Sequence, residues 1–247
     1  MRRQIPLLLE QSLKYSAENF HFHEGIKPLL KAVDAATQKQ GFSILLAVGG
    51  KQSGKTHIGV HCAEFINTSG RSTLWIEGAE VPGWWQREPD DDAIPWKGAV
   101  VVDDAHKLFE FLQKERNARP LADFIERCRR RRALLIMLSA KPLEVYKFDE
   151  QITGRIKTSS VFELGAPGDR DLDALLDLIA RQRGVRLTAY KRSFLLKRVP
   201  RDISAIVDCL YRLEEKTASE VKATTSLSRL AEAVPALNGS EQGEVTK

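Results

Sequence analysis

The sequence predicts an α/β fold: a P-loop parallel sheet core flanked by helices, followed by a small all-helical lid subdomain. Three observations predict it. Short apolar runs alternate with helical stretches between residues 42 and 165, a glycine-rich string joins the first run to the helix after it, and beyond Gly165-Ala166-Pro167-Gly168 only helical periodicity continues.

Taken in order, residues 24–40 place Ile26, Leu29, Leu30 and Val33 at helical spacing, and Gly41 closes that helix. Residues 42–48 (FSILLAV) form the short apolar run of a buried parallel strand. A helix over 55–67, a stop at Ser69-Gly70 and a strand over 73–76 complete a βαβ unit. Residues 77–97 scatter Gly78, Pro82, Gly83, Pro89 and Pro95 among Trp84, Trp85 and the acidic run Asp90-Asp91-Asp92, and read as an irregular surface insertion. A third strand, 99–102, ends in Asp103-Asp104; a long helical region runs to Arg132; strands follow at 133–139 and 160–164. The helices of the second part are expected at 172–183, 190–198, 203–216 and, more weakly, 227–233. The domain limits that follow are an arm at 1–22, the nucleotide-binding α/β core at 23–166, the helical lid at 167–236 and a polar, disordered tail at 237–247.

Bulk composition fits this reading. The chain has 247 residues, 43% of them hydrophobic and 29% charged, which suits a globular core with a smaller appendage and excludes a wholly disordered or fibrous class. A net charge of +5 suits a phosphate-bearing partner without requiring one. Cys62, Cys128 and Cys209 are odd in number and widely spaced, so neither a disulfide framework nor a metal cluster is indicated, and a reducing cytoplasm is the expected location. The basic start and the apolar run from Ile5 to Leu9 end at Glu10-Gln11, too early for a signal peptide, and no stretch approaches the roughly 20 apolar residues of a membrane helix.

The chemistry centres on Gly49-Gly50-Lys51-Gln52-Ser53-Gly54-Lys55-Thr56, which fits G-x-x-x-x-G-K-[ST] after a strand and before a helix. The glycines let backbone N–H groups form a nest for phosphate oxygens, and the helix adds its positive end. Lys55 is the partner of the β/γ-phosphates of ATP, Thr56 a ligand of Mg²⁺, and His57 the next residue of the nucleotide-binding set. The bland alternative is a flexible turn that binds nothing. Asp103, at the end of an apolar strand, is the expected second holder of Mg²⁺. Asp104 either orients an attacking water or caps the following helix. Ser139 either senses the γ-phosphate or serves ordinary turn chemistry.

The order of these parts, with Ile152-Thr153-Gly154-Arg155 before the last strand and helices after it, resembles the AAA+ family. Within it the resemblance is to DnaA-like proteins: the ATPase region of bacterial replication initiators and their shortened relatives, the Hda-type regulatory inactivators. It covers about residues 4 to 216. By that resemblance Arg155 acts in trans, reaching a neighbour's nucleotide site to stabilise transition-state charge. Without it, Arg155 is a solvated surface charge. The serine usual before it is Gly154, and Ser204 stands where the family places a sensor arginine, which puts the coupling of nucleotide state to the lid in question unless Arg201 substitutes. Gln4-Ile5-Pro6-Leu7-Leu8 is similar to the pentapeptide with which such proteins bind the replicase's sliding clamp through Gln4, Ile5, Leu7 and Leu8; a terminal strand packing Ile5 and Leu7 on the core is the alternative.

The function this implies is a regulatory protein that docks on the clamp and promotes hydrolysis of ATP held by the initiator DnaA, limiting replication starts. Its own site then binds ATP or ADP with Mg²⁺ and is at most a weak ATPase. The alternative is a helicase loader or initiator-like ATPase that remodels a DNA-bound partner; a small-molecule kinase is a third reading. Expected partners are DnaA and the clamp, with homo-oligomerisation open and neither membrane nor sequence-specific DNA binding, since no helix-turn-helix reader follows the lid. Arg127 and Arg129-Arg130-Arg131-Arg132 read as a solvated helix end. Trp84 and Trp85 either meet a partner or staple the insertion, and His57 and His61, at i, i+4, are packed or solvated rather than metal-bound.

Overall fold

A computed structural model of the chain describes residues 20–50, 53–87, 91–148, 154, 158–199, 203–217 and 227–234. These fall into two compact units that part between Pro167 and Gly168.

The first unit is a five-stranded sheet, β1 Ser43–Val48, β2 Thr73–Glu77, β3 Ala99–Asp103, β4 Leu134–Ser139 and β5 Ser160–Glu163, in the order β2-β3-β4-β1-β5. Every pairing is parallel. The central strands β3 and β4 are buried along their whole length, which is why they read as unbroken apolar runs rather than as alternating ones. Period-two geometry sorts their side chains into two layers. Ile44, Leu46, Val100, Val102, Leu135 and Met137 face α3 Val81–Arg87, α4 Ala105–Glu115 and α5 Arg119–Arg130. Leu45, Ala47, Val101, Ile136 and Leu138 face α1 Lys27–Lys39 and α2 Lys55–Thr68. The helix α1 is led by a 3-10 turn, Glu24–Ile26, and ends at a left-handed Gln40 rather than at Gly41.

The segment before β3 departs from the irregular insertion expected of it. It holds α3, and Val81 and Ile94 in it are completely buried. Pro82 sits in the first helical turn, where a missing N–H costs nothing, so its presence does not break the helix. Trp84 packs edge-on against Phe124 at 5.7 Å, the stapling role. The helical region up to Arg132 is two helices, because the chain turns left-handed at Arg116 (φ 52) and Asn117 Oδ1 accepts the Arg119 N–H at 3.1 Å where Pro120 starts α5. Nor is the arginine run simply solvated: Arg127 is buried, its guanidinium 5.0 Å from the Trp84 ring, while Arg129 does lie outside and pairs with Glu126 at 2.8 Å. On the inner stripe of α5 the guanidinium rests on a ring face.

The second unit contains α6 Asp169–Gln182, α7 Ala189–Leu196, α8 Ile203–Thr217 and α9 Leu227–Ala233 around a core of Leu172, Leu176, Leu195, Ile206, Leu210 and Leu230. The Asp171 carboxylate accepts the Gly168 N–H at 3.0 Å, fixing the start of α6. Arg192 of α7 reaches Asp173 and Asp177 of α6, both at 3.0 Å, and clamps the two helices. All three cysteines are buried and outside any disulfide; burial pushes the Cys62 thiol up to about 12 and that of Cys209 up to about 11. Among the described residues no helix is long and apolar enough to cross a membrane.

Candidate functional site

A parallel sheet gathers its loops at the carboxyl ends of the strands, and the candidate residues lie there on β1, β3 and β4. Gly49 leaves β1 and donates its N–H to the Ser139 carbonyl at 3.0 Å, tying the phosphate loop to the end of β4. A Cβ at Gly49 would lie 2.3 Å from Ser53 Oγ and 3.1 Å from Leu164 Cβ, so a larger residue here would displace the Ser53 side chain inside the loop. Gly54 takes φ 82 as it enters α2, a position where glycine is required. Lys51 and Gln52 lie outside the described residues.

Lys55 is buried and folds back over the loop, donating from Nζ to the carbonyls of Gly49 at 2.9 Å and Gly50 at 2.6 Å. Burial lowers its pKa, opposed by the charges of Asp104 and Asp103. Thr56, one residue on, donates Oγ1–H to Asp103 Oδ2 at 2.7 Å. This contact joins the start of α2 to the end of β3 and brings two of the expected Mg²⁺ oxygens together. The fit to a nucleotide and its cation can be judged from the donors. Ser53 Oγ is buried without a hydrogen-bond partner among the described residues, a free polar atom inside the loop. Thr56 and Asp103 are hard oxygen ligands, and no group of three or more His, Cys, Asp or Glu among the described residues makes a metal cage. That set suits Mg²⁺, which is normally held by one or two carboxylates and by phosphate oxygens. When bound, the cation would neutralise phosphate charge; the protein's part is to hold Thr56 and Asp103 in register.

Asp103 is almost wholly buried, and its Oδ1 accepts the Asp104 N–H at 2.9 Å. Asp104 is left-handed, φ 47 and ψ 40, and starts α4 without a side-chain cap bond. Its carboxylate meets Lys107 Nζ at 2.6 Å, which raises the Lys107 pKa, and stands 3.9 Å from His106 Nδ1. Ser139 is fully buried, donating Oγ–H to the Lys141 carbonyl at 2.6 Å and accepting the Lys141 N–H at 3.2 Å. Its hydroxyl proton therefore serves the turn here, and contact with a phosphate would require it to rotate. His106 Nδ1 accepts the Ala140 N–H at 3.4 Å, joining the loops after β3 and β4.

His57 is the part-buried neighbour of Thr56, and His61, one turn on, stacks on Phe20 with ring centres 4.5 Å apart. Burial lowers the pKa of both; Glu64 opposes it at His61. As pH falls through about 6.5 the unfolded chain takes up protons at these positions before the folded chain does. Stability should thus decrease from about pH 6.5 downward until the lowered folded pKa values are passed. Urea midpoints at successive pH values should show this loss, and the double variant His57→Gln, His61→Gln should flatten it.

Several expected residues lie outside the described structure: Gln4, Ile5, Leu7 and Leu8, Ile152, Thr153, Arg155 and Arg201. Gly154 is exposed, and Ser204 lies in the first turn of α8. Four residues that the sequence did not single out for the site lie around it: three glycines and a histidine. Gly78 donates its N–H to the Asp103 carbonyl at 2.7 Å. Gly25 and Gly165 cross so closely that a Cβ on Gly25 would stand 2.8 Å from Gly165, and Gly165 N–H donates to the Gly25 carbonyl at 3.2 Å. His106 is the fourth. Only glycine itself could have signalled the other three, and it is common in any loop.

No protein-family model and no curated protein matches the chain. Among solved structures, domain III of the replication initiation protein DnaA from Thermotoga maritima superposes with a TM-score of 0.68 at 16% identity, over 91% of this chain and 98% of that one. AMPPCP-bound DnaA from Aquifex aeolicus gives 0.64 at 14% identity, over 90% and 69%. The RuvB Holliday junction branch migration motor of Thermotoga maritima gives 0.60 at 13%, over 90% and 71%. The parallel sheet with its flanking helices is the AAA+ P-loop fold of these proteins.

Proposed function

We propose that the chain is a nucleotide-binding regulator of replication initiation, which docks on the sliding clamp and promotes hydrolysis of ATP held by the initiator DnaA. The Thr56–Asp103 contact supports the nucleotide part of this reading, since the hydroxyl and the carboxylate proposed as metal ligands lie 2.7 Å apart. ATP or ADP with Mg²⁺ is the cofactor, Gly49 to His57 the binding segment, and Asp103 and Thr56 the metal ligands. Asp104 positions water and Ser139 is the phosphate sensor. The likeness to DnaA supports the initiator as partner, because AAA+ domains of one shape can stack as neighbours and complete one another's sites. Arg155 is the residue offered in trans, and Gln4, Ile5, Leu7 and Leu8 are the clamp contacts. Self-association would use the same stacking surfaces, and a cytoplasmic location follows from these partners.

The test is the ATPase rate of purified initiator with clamp loaded on DNA, with and without this protein. Stimulation that disappears with Arg155→Ala and with Gln4→Ala is the expected result; no stimulation by the intact protein would dismiss the regulatory reading. A second reading, an initiator-like or helicase-loading ATPase, is favoured by the likeness to a DnaA solved with AMPPCP and single-stranded DNA, at a TM-score of 0.60 and 15% identity. Its mark would be substantial ATP turnover by the chain alone.

A further inference from the structure

At the amino ends of the strands the chain gathers cations around an exposed ring. Because the strands are parallel, the turns entering β2, β3 and β4 share one edge of the sheet. The five residues of β3 put that edge about 15 Å from Asp103 and the phosphate loop. Arg71 precedes β2, Trp96 and Lys97 precede β3, and Arg131 and Arg132 precede β4. Trp96 is 56% exposed, although most tryptophans are largely buried. The guanidinium carbons of Arg131 and Arg132 stand 5.7 and 6.0 Å from its ring centre.

Backbone bonds fix these turns. Lys97 N–H donates to the Arg131 carbonyl at 2.9 Å, and Leu134 N–H to the Gly98 carbonyl at 2.9 Å. Arg131 Nε donates to the Ile94 carbonyl at 2.9 Å, and Arg71 donates to the carbonyls of Thr37 at 2.7 Å and Gly98 at 3.3 Å. Carbonyls satisfy these donors without cancelling their charge. Among the described residues, Asp92 contributes a carboxylate, 3.2 Å from Arg131, on a side chain that is 92% exposed.

We infer that this edge binds single-stranded nucleic acid, with an unpaired base stacked on Trp96 and phosphates held by Arg132 and Lys97. A flat ring beside fixed cations matches a ligand that alternates flat bases with anions, and a base can stack only when it is not already paired. Guanidinium groups match phosphate oxygens with paired donors. An acidic peptide would satisfy the cations but brings no flat group to the exposed part of the ring. The inference is independent of the nucleotide site at the other edge.

The experiment is fluorescence anisotropy of a labelled oligothymidylate with the full chain. Expected are binding that weakens with salt, a loss of roughly tenfold with Trp96→Ala, and retention of most affinity with Trp96→Phe. Arg132→Ala should lower the slope of log affinity against log salt by about 0.7, the effect of one phosphate contact on a single strand. Asp92→Asn, which releases Arg131, should tighten binding. Unchanged circular dichroism and melting would show that these surface variants remain folded. The inference is overturned by absence of binding, by binding that Trp96→Ala and Arg132→Ala leave intact, by equal competition from polyglutamate, or by displacement with ADP, which would place the strand in the phosphate loop.

Discussion

Replacing Lys55 by alanine should weaken ATP and ADP binding at least thirtyfold, corresponding to the loss of about 2–5 kcal/mol when one partner of a buried charge pair is truncated. The magnitude follows from the position of the ammonium. It is buried, it donates to two loop carbonyls, and two carboxylates oppose without overcoming the effect of burial on its charge. A phosphate entering the loop exchanges a neutral carbonyl partner for an anion, in surroundings where water competes poorly. Lys55→Arg should not restore affinity, because the fixed planar fork does not fold back as a single ammonium does. Titration calorimetry with ADP and Mg²⁺ reads both variants. Thermal melts belong beside it, since the two lost loop bonds are each worth about 1 kcal/mol of stability. Unchanged affinity in Lys55→Ala would remove the nucleotide site from the functional account.

The second large effect is expected at a residue that touches no ligand. In Gly78→Val, the Cβ would stand 2.4 Å from the Asp104 carbonyl oxygen and 3.0 Å from that of Asp103, both backbone atoms. Neither can rotate away, so the end of β3 must move. Overpacking of this kind costs about 1–3 kcal/mol of stability. It also shifts Asp103 relative to Thr56, whose hydroxyl bond spans 2.7 Å. Magnesium should therefore cease to strengthen nucleotide binding, while affinity measured in EDTA changes little. Gly41→Ala is the control, because a Cβ there meets nothing within 4 Å and its φ is not positive. Calorimetry with and without Mg²⁺ separates the metal effect from general unfolding; a metal response preserved in Gly78→Val would detach this glycine from the site.

These two positions show what could be read without coordinates. Lys55 belongs to a contiguous motif, and β3 and β4 are buried on both faces, so local patterns announce them. Gly78 acts through Asp103 and Asp104, which the chain reaches only after α3 and a further turn, and no local pattern records that approach. The same limit explains Arg127, whose burial depends on where the Trp84 ring lands. The helix at Val81–Arg87 is hidden for another reason: proline signals irregular chain in general, but at Pro82 it stands in a first helical turn, where it does not break the helix. Ser139 and Asp104 are legible as candidates, but their engagements with Lys141 and Lys107 are not. Arg155 and the segment from Gln4 to Leu8 remain readings of sequence.

The order of the strands bears on how the chain matures during synthesis. In the sheet, β4 lies between β1 and β3, although it is made after both. When the ribosome has released residues 43–103, the phosphate loop, Thr56 and Asp103 all exist, but the strand that seats β1 beside β3 has not yet emerged. Each half then exposes an apolar strand flank awaiting β4, the kind of surface that incomplete chains must shield from aggregation. Leu134–Ser139 joins the two halves and brings Thr56 and Asp103 into register, and β5 then completes the sheet on the free side of β1.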